Sequence, residues 1–108
     1  MKLNAAKQHY LTSDYYTFVD TPSGDSTIRT YTLDSNIKLS ASNNLIGDLI
    51  IYSDKQMMLN GQLKNLKDRS GNAILPDAIW QISQAQPVIN GLGLFDGYKY
   101  KAKIISGI

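Results

Sequence analysis

The chain contains no cysteine. That excludes a disulfide framework, a thiolate zinc site and a thiol nucleophile. It also contains no glutamate, because all nine acidic residues are aspartate. Glutamate is a helix former, whereas aspartate suits turns and strand ends, so its absence argues against a helical fold. Histidine occurs once, as His9, too little for an imidazole metal site. The longest apolar run, Leu49-Ile50-Ile51-Tyr52, is far too short to cross a bilayer. The start, Met1-Lys2-Leu3-Asn4, lacks the apolar core of a signal peptide. A soluble protein without membrane contact is therefore expected. Charge of one sign is lacking too: 11 basic residues against 9 acidic leave a formal +2, too weak a bias to argue for nucleic-acid binding, since the basic residues do not gather into one block.

What is present points to strands. The hydrophobic share of 43% and charged share of 19% are those of a globular chain, and 108 residues make room for one domain, residues 1–108. Eight glycines accompany many serines, threonines and asparagines, a composition of strands and turns.

Along the chain, Leu3, Ala6, Lys7 and Tyr10 have helical spacing, so residues 1–12 are expected to form a short helix or arm. Tyr15-Tyr16-Thr17-Phe18-Val19 is a compact aromatic and β-branched strand signal, closed by the turn residues Thr21-Pro22-Ser23-Gly24-Asp25. Residues 27–33 alternate, with Ile28, Thr30 and Thr32 opposite Arg29, Tyr31 and Leu33, and complete a hairpin with a longer loop. Residues 36–41 alternate again, with Ile37, Leu39 and Ala41 on one side. Residues 49–52 are continuously apolar, which predicts a strand covered on both faces, and residues 56–59 predict a short strand ending at the Asn60-Gly61 turn. Residues 61–72 are expected to be a flexible loop, with Leu63 and Leu66 spaced for a single helical turn. Residues 78–83 form a strand with Trp80 and Ile82 on its core face. Residues 87–96 are turn-rich, and residues 98–105 form a closing strand burying Tyr98, Tyr100, Ala102 and Ile104. Lys99, Lys101 and Lys103 then mark its solvated face. Seven short candidate strands predict a mainly β fold, a small barrel or sandwich.

Sites for chemistry are sparse. His9 has only Asp14 nearby as a partner for base catalysis. The aspartate pairs Asp20 with Asp25, and Asp48 with Asp54, sit where turns and strand ends want them. Asp68-Arg69-Ser70-Gly71-Asn72 has too few oxygens for calcium, and Arg69 opposes the ion. Gly91-Leu92-Gly93 lacks the residues of a phosphate loop. No catalytic, metal or cofactor residue is assigned. Trp80 is expected in the core, while Tyr15, Tyr16 and Tyr31 are candidates for an exposed interface cluster.

The order Leu49-Ile50-Ile51-Tyr52-Ser53, a polar stretch, Ala78-Ile79-Trp80-Gln81-Ile82, a connector holding Gln86-Pro87, and Tyr98-Lys99-Tyr100-Lys101-Ala102 resembles the head-completion family of tailed phages. These are the stopper, or head-closure, proteins, and the resemblance covers about residues 28–105. It implies a small β-barrel assembling as a homo-oligomeric ring in the virion neck, between a portal or adaptor and the tail. Such a ring retains packaged DNA without reading its sequence. The resemblance also implies a long channel loop, which by position is residues 34–47, carrying Asp34, Ser35, Asn36, Lys38, Ser42, Asn43 and Asn44. The alternative is a small β binding module for carbohydrate or a host protein, with exposed aromatics as its platform. An enzymatic role would rest on the aspartate pairs or His9.

Overall fold

A computed structural model describes residues 11–43 and 47–106. Six strands make up the described fold: β1 (Leu11–Ser23), β2 (Ser26–Asn43), β3 (Leu49–Ser53), β4 (Gln62–Lys67), β5 (Ile79–Ile89) and β6 (Phe95–Ser106). They close into an antiparallel barrel in the order β1-β2-β3-β6-β5-β4. The expected mainly β class holds, with fewer and longer strands than the seven short ones of the sequence reading. The arm expected over residues 1–12 lies outside the described residues up to position 10, and Leu11 and Thr12 already belong to β1.

Alternation puts one side chain in two into the barrel. Leu39, Ile51, Leu63, Ile82, Tyr100 and Ala102 are completely or almost completely buried, joined by Tyr15, Ile37, Leu49, Met57, Leu66, Ala78 and Trp80. The Trp80 indole Nε1 has no hydrogen-bond partner among the described residues. Ser13 and Ser53 also point inward, and each hydroxyl donates to a strand carbonyl, Lys64 at 3.0 Å and Lys38 at 2.9 Å. In β3 only Leu49, Ile51 and Ser53 are buried, while Ile50 and Tyr52 are half-buried, so this strand is not covered on both faces.

Residues 61–72 are not a flexible loop. Gln62–Lys67 is strand β4, paired with β1 on one side and β5 on the other. Leu63 and Leu66 both reach the core although three residues apart, because Asn65 adopts φ 55° and the β1–β4 register shifts beside it. That bulge supplies the residue that alternation lacks. A second bulge makes Asp34 the extra residue of β2, opposite the step from Tyr15 to Tyr16. Residues 56–59 are not a strand; they belong to the connector from β3 to β4.

That connector, residues 54–61, crosses one end of the barrel and closes it. The Tyr100 hydroxyl donates to the Lys55 carbonyl (2.7 Å) and accepts the Met57 N–H (2.8 Å). The Tyr15 hydroxyl accepts the Met58 N–H at 2.8 Å. Asn60 N–H donates to the Ile82 carbonyl and Ile82 N–H to that of Gly61, at 2.8 and 2.9 Å. A Cβ on Gly61 would lie 3.0 Å from both the Met58 carbonyl oxygen and the Tyr15 ring. Gly61→Ala is expected to cost about 1–3 kcal/mol through overpacking, read as a lower denaturant midpoint at unchanged slope.

Burial raises the Tyr100 pKa to about 12, against the opposing bond from Met57, and raises that of Tyr15 above its usual 10.0. The folded protein therefore holds these protons more tightly than the unfolded chain. The stability this contributes is whole below pH 10.0 and is lost as the pH rises through about 12. A titration of folding stability should fall in that alkaline window, and the Tyr100→Phe variant should fall less steeply.

Candidate interaction surface

Following the strand directions round the barrel puts the β1–β2 turn, the β5–β6 turn and the closing connector at the same end. Both hairpins run past the barrel wall there. Among the described residues, β1 beyond Tyr16 pairs only with β2, so residues 17–32 form a two-stranded ribbon, here the first arm. Past Ile82, β5 pairs only with β6 among the described strands, and β6 in turn pairs with β3 from Tyr98 to Ala102, so residues 88–97 project beyond the wall as the second arm. The chain accordingly measures 55 Å along its longest axis against 32 and 27 Å across.

The first arm turns at Gly24-Asp25 alone, with Ser23 opposite Ser26, so the loop is tighter than its turn-rich sequence predicts. Gly24 has φ 60°, the left-handed conformation that a glycine-first two-residue hairpin turn requires. One face of the arm carries Phe18 opposite Tyr31 and Asp20 opposite Arg29. The two rings are 5.5 Å apart, and Arg29 lies over Phe18 at 3.9 Å while gripping Asp20 with two bonds of 2.7 and 3.0 Å. Hydrogen bonding to Arg29 holds the Asp20 pKa below the usual carboxylate range. The other face is made only of β-branched side chains: Thr17, Val19, Thr21, Ile28, Thr30 and Thr32.

Pro22 faces Thr27 across the ribbon and has no N–H to exchange with it, so this is a non-hydrogen-bonded pair. By alternation Asp20–Arg29 and Phe18–Tyr31 belong to the same class. Their backbone N–H and C=O groups therefore point away from the ribbon, along its two outer edges. Among the described residues no strand pairs with either edge.

The second arm ends in an apolar tip. Leu92 is 80% exposed, and Ile89, Leu94 and Phe95 are each more than half exposed. The tip is ordered by Asn90, whose Oδ1 accepts the N–H groups of Leu92 (2.8 Å) and Leu94 (3.1 Å). Pro87 is part of β5 opposite Tyr98, so the turn-rich stretch expected from residue 87 shrinks to residues 90–94. An aromatic row, Phe95, Tyr98 and Tyr100, leads from the tip to the connector, with ring separations of 5.0 and 6.0 Å.

The residues assigned to a channel loop are strand residues. Asp34, Ser35, Asn36, Lys38, Ser42 and Asn43 all lie in β2, and Asn44 falls outside the described residues. Asp34 binds Ser35 Oγ at 2.8 Å and Lys55 Nζ at 3.2 Å, and these contacts, Ser35 first, lower its pKa. Asn36 and Asn65 both donate to the Asp14 carboxylate, at 3.1 and 2.8 Å, tying the β2 and β4 flanks of β1 together. The polar run lies within β2, which pairs with β1 at Asp14–Asn36 and with β3 at Ser42 and Asn43.

The three tyrosines do not form one exposed cluster. Tyr15 is buried in the core, Tyr16 lies under Lys64 (4.6 Å), and Tyr31 belongs to the first arm, donating to the Asn60 carbonyl at 3.1 Å. Trp80 is in the core as expected. On β6, Lys103 is exposed, Lys101 pairs with Asp48 at 3.4 Å, and Lys99 sits 6.0 Å from the Tyr52 ring, so this is a solvated face. The Asp68 carboxylate accepts the N–H groups of Ser70 and Asn72, which makes the 68–72 segment a closed turn. Among the described residues no group of three or more His, Cys, Asp or Glu side chains is placed to hold a metal ion, and His9 lies outside them. No described helix is long and apolar enough to cross a membrane.

The second arm's apolar tip was missed in the sequence. Its signal was Leu92, Leu94 and Phe95 standing in a glycine-rich turn, where polar residues are the norm. The chain matches no protein-family model, no curated protein and no solved structure.

Proposed function

We propose that this chain is a structural subunit of a tailed-phage neck: a ring-forming head-completion protein that retains packaged DNA and offers the face on which the tail docks. The observation that carries the reading is the pair of β-ribbon arms leaving one end of a closed barrel, one edged with backbone groups that no described strand pairs and the other tipped with exposed Leu92, Leu94 and Phe95. A barrel hides its strand edges by closing, and ribbons that run past the closure restore them. Exposed apolar tips and open edges stabilise contacts between proteins. Two aspartates at this end are engaged within the chain, Asp20 with Arg29 and Asp34 with Lys55, which favours a scaffold role over acid–base chemistry at them.

The weak net charge of +2 suits a ring that passes DNA without holding its phosphates. The alternative of a carbohydrate platform has less to draw on, because Tyr15 and Trp80 both lie in the core. The virion is the location this reading assigns. DNA-filled heads assembled in the source system without this chain test it. Adding the purified chain should stop DNA leakage and permit tail joining; heads that retain DNA and join tails equally well without it would contradict the proposal.

A further inference from the structure

We propose that the first arms of neighbouring copies pair edge to edge, β2 of one copy beside β1 of the next, so that the ring shares one continuous antiparallel sheet. This deepens the ring reading above and rests on it. In a cyclic assembly every arm points the same way, and β1 and β2 of one arm run in opposite directions. Setting β2 beside the next copy's β1 therefore makes an antiparallel contact, and it is heterologous, the kind that closes rings.

The backbone fits the contact. The outward-facing groups on β2 belong to Thr27, Arg29 and Tyr31, and those on β1 to Phe18 and Asp20, with Pro22 offering its carbonyl only. Both edges present their donors and acceptors on alternate residues, at matching heights from the tip. Two extended edges with that match form ladder hydrogen bonds without any change in the arm. Pro22 leaves the β1 edge one donor short near the tip, which limits how far the ladder runs.

The side chains choose this pairing over two-fold alternatives. Beside β1 of the next copy, Arg29 comes within reach of a second Asp20 carboxylate, and Tyr31 within reach of a second Phe18. Charges would then alternate around the ring. Pairing like edges instead brings Asp20 near Asp20, or Arg29 near Arg29, and like charges across strands are destabilising. On the opposite face Val19 and Thr21 of one copy would meet Ile28, Thr30 and Thr32 of the other, β-branched residues suited to cross-strand contact.

The absence of cysteine makes the test direct. Full-length Val19→Cys is mixed with Ile28→Cys, Thr30→Cys or Thr32→Cys, oxidised both free at high concentration and on neck particles, and run on a non-reducing gel. One of the three mixtures should give a disulfide-linked dimer at least tenfold above any single variant alone, and which one it is reads the stagger between arms. Asp20→Arg alone should abolish assembly, and Asp20→Arg with Arg29→Asp should restore it. A ring with no mixed crosslink would overturn the arm pairing and leave the ring reading standing. Dominant Val19–Val19 links would replace the pairing with a two-fold contact. A chain that forms no ring, free or on particles, would overturn both.

Discussion

Replacing Tyr100 with alanine is expected to remove most of the folding stability of this domain. The ring is almost wholly buried between β3 and β5, and its hydroxyl both donates to Lys55 and accepts from Met57. Truncating a buried aromatic costs about 3–5 kcal/mol. The orphaned Met57 N–H adds about 1–3 kcal/mol, because a buried donor loses its partner. Small domains have roughly 5–15 kcal/mol in total, so the variant should be largely unfolded near room temperature. Tyr100→Phe keeps the ring and loses only the connector's tether, so it should cost about 1–3 kcal/mol. Chemical denaturation followed by Trp80 fluorescence separates the two variants. A Tyr100→Phe midpoint equal to that of the parent chain would mean that the connector is held by something other than this hydroxyl.

The second large effect is functional and leaves the fold alone. Converting Leu92, Leu94 and Phe95 together to serine should change stability by less than about 0.5 kcal/mol at each exposed leucine and by about 0.5–1.5 kcal/mol at Phe95, whose ring packs on Tyr98. If the chain is the neck subunit proposed above, the same variant should lose docking to its neighbouring component by at least about tenfold, the effect of losing about 1.4 kcal/mol of contact. Co-sedimentation with particles lacking the native chain measures it. Unchanged co-sedimentation would remove the second arm from the docking face.

The contrast between these two experiments follows a division in the molecule that the sequence only half reveals. The barrel wall was readable wherever alternation is clean: Trp80 and Ile82, Ile37 and Leu39, Tyr100 and Ala102 all face inward as the pattern demands. Bulges hid the rest. Asp34 adds one residue to β2, so an unbroken strand from Ser26 to Asn43 read as two strands with a polar interruption. Asn65 does the same in β4, where a left-handed residue brings Leu63 and Leu66 to one side and imitates helical spacing. The choice between Tyr15 and Tyr16 depended on the first of these bulges, because adjacent side chains take opposite faces and only the register says which is inside.

The arms were legible as strands and illegible as arms. Residues 17–32 are β-branched on one face and mixed on the other, a pattern that would serve equally well over a core. Their freedom comes from the shortness of the neighbouring strands, β3 at five residues and β4 at six. No local pattern in the arm itself encodes that. Gly61 is a comparable case: the Asn60-Gly61 pair reads as a turn, but the need for glycine comes from the Tyr15 ring, distant in sequence.

Cryo-electron microscopy of neck complexes from the source system, with the chain present, tests the proposal that this barrel is a ring subunit between head and tail. The expected density is a ring of these barrels between portal and tail, with both arms at one end and the first arms side by side in one sheet. Neck density without such a ring, with the purified chain monomeric in solution, would contradict the proposal.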